Sequence, residues 1–404
     1  MPMAVSADPP QAPAASRWML PVICSAAFLV FVQAFMVAPL IPRLAEVFHS
    51  PVGWIGLAVP AYLLPHGLAT LVWGPLSDRL GRRAVILGSL LLFIAFTVAT
   101  ASAGSIEAFL GWRIATGIGA AGIVPISLTL IGDVVPFQQR GRALGWLFGS
   151  IAGGTATGAT VGALMEPVVG WAGLFLVVAA IGVMLLMVAV GVSAFPRQLR
   201  RPAAPALAVI VQGYAALLAL ARGQRTYAYV LINAVVQSGV YTWLGVYLRQ
   251  RFGLGEVGIG LALMGYGVPG LLFGPVIGRL ADRRGRARII PAGVALTGVC
   301  ALLLAVPLPL VAVQLAIVTL SLGFDLTQPL LAGIVTDLHG NRAQAVGLMA
   351  FTLFTGFGLG SLLFQWALTW GFGAALTAFG VAALLAAAAA LALFRAERPQ
   401  PRTR

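Results

Sequence analysis

Apolar residues run through this chain in stretches of about twenty, each closed by a short burst of arginine, proline or paired glycine. A helix of that length is about 30 Å long, the thickness of a bilayer's hydrocarbon core. Cutting at those bursts predicts twelve spans. Six lie at roughly 18–41, 53–76, 84–103, 107–132, 143–165 and 171–195. The other six lie at 226–248, 257–278, 288–306, 310–336, 343–366 and 372–394. Inside the spans, polar side chains follow a three-helix rhythm. Spans 3, 6, 9 and 12 are almost wholly apolar, whereas spans 1, 4, 7 and 10 hold most of the strongly polar residues.

Polar side chains are costly in lipid and turn toward the bundle interior or water. Span 7 carries Asn233, Gln237 and Tyr241 at four-residue spacing, which stacks them on one face. Span 10 carries Gln314, Ser321, Asp325 and Gln328 in one stripe, span 1 carries Gln33, and span 2 pairs Tyr62 with His66. Such neutral stripes either join helices by hydrogen bonds or line a cavity. Two charges stand apart: Arg113, about two turns into span 4, and Asp325, near the middle of span 10. Arg113 would snorkel, tie helices together or serve function. Asp325 is expected to titrate, because burial favours the neutral carboxyl and water or a cation favours the charged one. The two could face one another across a cleft.

The densest charge in the chain is Gly74-Pro75-Leu76-Ser77-Asp78-Arg79-Leu80-Gly81-Arg82-Arg83. It returns 204 positions later as Gly278 to Arg286, with Asp282, Arg283, Gly285 and Arg286 in register. Gly119, Pro125 and Asp133 return at the same offset as Gly323, Pro329 and Asp337. A repeat at half the chain length predicts two six-helix halves, 18–195 and 226–396, with a site between them near the midplane. The stretch 196–225 reads as a linker with an interfacial helix; 1–17 and 397–404 read as tails, the first disordered and without the form of a cleavable signal.

Composition closes off other classes. Sixty per cent of the residues are apolar and nine per cent charged, with a mean hydropathy of +0.98. A soluble domain carries roughly 25% charged residues. The net charge of +14 comes entirely from arginine, concentrated in the even-to-odd gaps and the tails. Only Arg43, Arg249 and Arg251 lie in odd-to-even gaps. This is the positive-inside bias, which places both termini and both charged hinges in the cytoplasm, and it argues against nucleic-acid binding. Cys24 and Cys300 read as small buried hydrophobes. His49, His66 and His339 fall in separate segments, and neither a nucleophile–base set, a metal cluster nor a phosphate loop is seen. No cofactor or metal is expected, and an enzyme is disfavoured. The partners expected are the bilayer, a small molecule and protons, with the chain working as a monomer.

With these residues in hand, the chain resembles the major facilitator superfamily across 18–395. Gly74 to Arg83 matches the family's G-x-L-x-D-R-x-G-R-R signature, and Arg113, Gly117 and Gly119 match its span 4 pattern. Asp133, Arg140-Gly-Arg142, Gly170-Trp171 and Phe175 also fit. The resemblance implies an all-α, twelve-helix fold of two pseudo-symmetric bundles in a bacterial-type inner membrane, with spans 1, 4, 7 and 10 lining the cavity. It implies alternating access, with Arg113 helping to couple protons to solute as in drug–proton antiporters. Span 5 departs from their G-x-x-x-G-P-x-x-G-G pattern: Gly154 replaces the proline and Thr157 a glycine. Gly149, Gly153, Gly158 and Gly162 keep a spacing suited to close helix contact. The expectation is proton-coupled efflux of a small, uncharged or weakly charged organic solute. Its alternatives are solute–proton symport and a non-transporting receptor.

The first hinge has a further reading. Asp78 sits at the C-terminal end of span 2, where the helix dipole disfavours it, so it needs a partner. Candidates are a neighbouring arginine or the start of span 11, entered through Asn341-Arg342, which the resemblance favours. Gly74 would allow the close approach and Gly81 the tight turn. Arg79, Arg82 and Arg83 complete a latch that holds the cytoplasmic side shut in the outward-open state, distinct from the site where substrate binds.

Overall fold

The computed structural model describes residues 16–196, 207–270, 272, 285–338 and 342–397. Asp282, Arg283 and Asn341 lie outside them, as do most of both tails. The described chain is helical. α1 (Met19–Phe35) continues through a short turn into α2 (Ile41–Val47), and α3 (Val52–Gly56) leads into α4 (Ala58–Leu80). α5 (Arg82–Ala101), α6 (Ile106–Ala120) and α7 (Ile123–Val134) follow, then the long α8 (Phe137–Gly191). α9 (Leu207–Ala219) is the helix expected in the linker. The second half holds α10 (Ala221–Phe252), α11 (Glu256–Leu263), α12 (Arg286–Ala305), α13 (Leu310–Thr336), α14 (Arg342–Ala367) and α15 (Phe372–Leu393).

Among the described residues ten helices are long and apolar enough to cross a membrane. One of them runs 50 residues, Arg142–Gly191. It breaks at Gly170, whose φ of 70° only glycine adopts cheaply, and so holds spans 5 and 6. Span 8 begins as α11 and passes out of the described residues. The described residues thus hold eleven of the twelve expected spans in full and the start of the other.

The repeat in the text is a repeat in space. Gly81 and Gly285 turn the chain into α5 and α12 with φ of 94° and 76°. Behind each turn the same ion pair forms: Arg82 Nε to Asp133 Oδ2 at 3.3 Å, and Arg286 Nη1 to Asp337 Oδ2 at 2.8 Å. Both partners differ by the 204-residue offset. Within each half, glycines let backbones meet. A Cβ on Gly158 would fall 2.9 Å from Val32 Cα, and one on Gly162 3.0 Å from Met36 Cβ. The close-packing set differs from the expected one at two places. Gly149 meets nothing within 4 Å among the described residues and Gly153 makes only ordinary contact with the Phe28 ring. Gly154 takes their role against Phe28 and Phe31, because 154, 158 and 162 share a strict four-residue face of the helix.

The halves meet at one end. At the end away from the charged hinges, one apolar core runs through both halves, from Leu40 and Ile55 to Tyr241, Ile259 and Phe364. At the hinge end the second half has a separate core, around Tyr227, Ile290, Ile334, Val335 and Phe394, that contains no described residue of the first half. Among the described residues the halves therefore share an apolar core at the far end and none at the hinge end. Among the described spans, 1, 4 and 7 are the most buried, in line with the polar census. Span 10 departs from it, with Gln314, Asp325 and Gln328 half-buried.

The chain end after α15 is pinned to the start of α10. Arg222 and Arg225 both bind the Glu397 carboxylate, and Arg225 lies 5.0 Å over the buried Phe394 ring. Burial would raise the Glu397 carboxyl, but the Arg222 hydrogen bond and the Arg222, Arg225 and Arg286 charges hold it below its ordinary value. A lowered carboxyl contributes at neutral pH and loses its contribution as pH falls through its folded-state value. We expect backbone amides 394–397 to exchange hydrogen faster in acid, after correction for intrinsic rates. Glu397→Gln should exchange at neutral pH as the wild type does in acid; unchanged protection in the variant would remove the ion pairs from the account.

Candidate functional site

Arg113 is wholly buried, and it neither snorkels nor meets Asp325. α1 ends at Phe35, leaving its last carbonyls without helical partners. Arg113 takes them: Nη1 donates to Gln33 O at 3.2 Å and Nη2 to Ala34 O at 3.2 Å. Nη1 also reaches Gln33 Oε1 at 2.9 Å, and Nε reaches Ala58 O of α4 at 3.1 Å. Its guanidinium lies 4.5 Å over the Tyr62 ring. Most of the guanidinium's hydrogen-bonding capacity is thereby committed to joining α1, α4 and α6. Gly117, one turn further along α6, lets the helix press on the Tyr62 backbone, since a Cβ there would lie only 3.3 Å from Tyr62 Cα.

From Tyr62 an aromatic lining passes between the halves. Tyr62 stacks near His66 at 5.7 Å, and His66 lies 4.1 Å from Phe354 of α14. Phe354 neighbours Phe31, and Phe35 meets both Tyr241 at 5.7 Å and Phe357 at 5.9 Å. Tyr241 packs 4.1 Å from Tyr266, and Phe324 closes on Phe357. Set along this lining are polar atoms with no partner among the described residues: Gln33 Nε2, Tyr62 OH, Gln237 Oε1, Tyr241 OH and both amide atoms of Gln328. Gln33, Tyr62, Gln237 and Tyr241 are each at most 4% exposed. Buried polar groups are nearly always hydrogen-bonded, so a cluster of bare ones marks a place where a ligand or water completes them.

Other predicted residues do structural work. Asn233 Nδ2 donates to Thr327 Oγ1 at 2.5 Å, tying α10 to α13, and Gln237 bonds to the Tyr266 hydroxyl. Gln314 sits seven residues before Ser321, roughly 10 Å toward the far end, apart from the cluster. Asp325 accepts from Ser321 Oγ at 3.3 Å.

At the first hinge Asp78 has the neighbouring-arginine partner: Arg82 Nη1 lies 2.5 Å from Asp78 Oδ1, and Arg82 also holds Ser77 and Asp133. A Cβ on Gly74 would meet nothing within 4 Å among the described residues, so no close approach is made there in this arrangement. One falls two turns earlier, at Gly67, where a Cβ would lie 3.1 Å from Phe354 Cβ. Gly81 makes the expected tight turn.

The far-end seam was not singled out by sequence reasoning. Gly56 seats the Trp243 ring; a Cβ on Gly245 would lie 2.9 Å from Pro39 Cα, and one on Gly260 3.1 Å from Ala163 Cβ. Gln365 Nε2 donates to Gly53 O at 2.9 Å, and Arg249 pairs with Glu46 across the halves. Arg43 binds the buried Glu166 at 3.1 Å. The signal available was the small set of charges in odd-to-even gaps, among them Arg43 and Arg249.

Two helical halves that share a core at one end and bring polar and aromatic side chains together between them have the architecture of a membrane solute carrier. Comparison places it further. The Major Facilitator Superfamily model matches residues 23–354 and 252–404, and the chain belongs to that family. It is 29% identical over 278 residues to the MFS-type transporter YceJ of Bacillus subtilis (strain 168), covering 68% of this chain and 69% of that one. It is 28% identical over 335 residues to a chloramphenicol resistance protein of Streptomyces lividans, covering 81% and 83%. Its fold matches a bacterial homologue of the human lysosomal transporter Spinster, solved inward-facing and unoccupied. The TM-score is 0.74 at 16% identity, over 95% and 98% of the chains.

Lysine in place of Arg113 cannot fork to three backbone carbonyls. We expect Arg113→Lys to cost about 1–3 kcal/mol for each carbonyl left bare. The same change should cut transport strongly. Thermal unfolding of the purified protein checks this; a variant as stable as the wild type would show that the tie carries no weight.

Proposed function

We propose that the protein exports a small organic solute, uncharged or weakly charged, in exchange for protons. The two halves, 18–195 and 226–396, expose the site alternately to the two sides of the cell's inner membrane. The chain acts as a monomer, with both termini in the cytoplasm. The observation that carries this reading is the set of unpartnered buried polar atoms on an aromatic lining drawn from both halves. A solute held there touches both halves at once, so its binding energy bears on their relative position. Asp325 is the proton-binding group; Arg113 acts indirectly, by holding Gln33 and Tyr62 in place. The hinge at Gly74–Arg83 latches the cytoplasmic side in the opposite, outward-open state. In support, Asp78 pairs within its own half and Gly74 has no close neighbour among the described residues, here where the far end is the one with the shared core. The chloramphenicol resistance relatives support the outward direction.

Everted vesicles test the reading with labelled chloramphenicol as the first probe. An acid interior should drive its accumulation, and Asp325→Asn should abolish that drive while counterflow exchange persists. An Asp325→Asn protein driven by the gradient at the wild-type rate would overturn proton coupling. Solute leaving the acid lumen instead of entering it would reverse the direction to uptake.

A further inference from the structure

α11 stops at Leu263, and Met264–Gly267 form a turn before helix resumes at Val268. A membrane helix broken midway has to satisfy its freed backbone groups locally. Here Tyr266 N–H donates to Leu263 O at 2.8 Å, and Gly267 N–H donates to Ser321 Oγ of α13 at 2.9 Å. The same Ser321 hydroxyl donates to Asp325 Oδ2 at 3.3 Å. Gly267, with φ of 80°, presses on the other half: a Cβ there would lie 2.6 Å from Ala156 Cβ of α8. Gly270 is the seat of the carboxylate, since a Cβ on it would lie 2.7 Å from Asp325 Cγ, Oδ1 and Oδ2. One short stretch thus touches the carboxylate on one side and the opposite half on the other.

We propose that Ser321 and the Met264–Gly267 break are positioning elements that transmit the charge state of Asp325 to the seam between the halves. The inference rests on the reading of Asp325 as the proton-binding group. An ionised carboxylate accepts at about four lone-pair sites. Ser321 Oγ and the Gly270 backbone N–H are the donors it has among the described residues. With those two against about four sites, a charged Asp325 is short of donors among the described residues, whereas a neutral one needs few. The neutral form suits the break as it stands, with Gly267 seated on Ala156. The charged form favours a break that opens to further donors, water included, and lifts Gly267 from α8.

The titratable groups of the described residues packed around Asp325 are accounted for. Tyr266, in the break itself, is bonded by Gln237 and stacked on Tyr241 of α10. Arg286 of α12 is paired with Asp337 at the hinge end, and α14 carries no titratable residue from Gln344 to Ala367. Arg113 is committed within the first half. A proton taken up at Asp325 therefore seals the far end and turns the site toward the hinge end, so the proton moves inward in either direction of solute movement.

Spin labels at Val168→Cys and Val257→Cys, 81% and 46% exposed at the far end of each half, read the seam. They go into the full chain in lipid nanodiscs, with Cys24→Ser and Cys300→Ser as background. Asp325→Asn, a neutral isostere, should enrich the short-distance population several-fold. Ser321→Ala should shift the wild-type charge state toward the long distance, and do so less when Asp325→Asn is also present. An Asp325→Asn distribution equal to or longer than the wild type's would overturn the proposal. So would an equal effect of Ser321→Ala in both backgrounds, which is what a merely structural serine would give. These shifts in a carrier whose transport ignores the proton gradient would support the positioning role while sinking proton coupling. Proton-driven transport without the shifts would sink the positioning role alone.

Discussion

The rest of the structure depends on the contact between the two halves at the far end. It is made by small residues and backbone more than by charge. Trp243 lies on Gly56, Gly245 on Pro39, Gly260 on Ala163 and Gly267 on Ala156. The Arg249–Glu46 pair at its rim is 37% and 47% exposed. Exposed pairs contribute about 0–1 kcal/mol, so that pair aligns the halves without holding them shut. A seam that separates and reforms in each cycle, as the proposed alternating access requires, cannot rest on many strong directional bonds. Glycine gives close packing without that burden, because the packing is lost over a short displacement.

Within each half the bonds are of the opposite kind. Arg113 fastens α1, α4 and α6 through backbone carbonyls, and Asn233 fastens α10 to α13. The Arg82–Asp133 and Arg286–Asp337 pairs sit at equivalent places in the two halves. Firm halves and a separable seam suit the rigid-body rocking about a central site that the proposed function requires. The site itself is soft in a second sense. Its polar atoms are left bare where the two halves approach, so whatever completes them bears on the position of both.

Much of this was legible in the text. Span length followed from the apolar runs, and the halves from the 204-residue repeat. The structure turns Gly81 and Gly285, Arg82 and Arg286, Asp133 and Asp337 into equivalent turns and ion pairs. What escaped did so for physical reasons. Phe31, Phe354 and Phe357 line the site, but a phenylalanine in apolar text carries no sign of which way it faces. Arg113 was visible as a buried charge, yet its partners are carbonyls at the end of α1, and every residue has a carbonyl. Gly154 stood out for replacing a proline, while its packing role emerges only from the face it shares with Gly158 and Gly162. The break at Gly267 is one glycine among 49, and its positive φ is what sets it apart from the glycines inside helices.

If the halves rock about the site, holding the far-end seam shut must stop transport. Cysteines at Glu46 and Arg249, whose side chains pair across the seam, allow that to be done reversibly in a protein otherwise free of cysteine. The account predicts a cross-link that forms readily, abolishes transport and releases full activity on reduction. Undiminished transport in the fully cross-linked protein would contradict it.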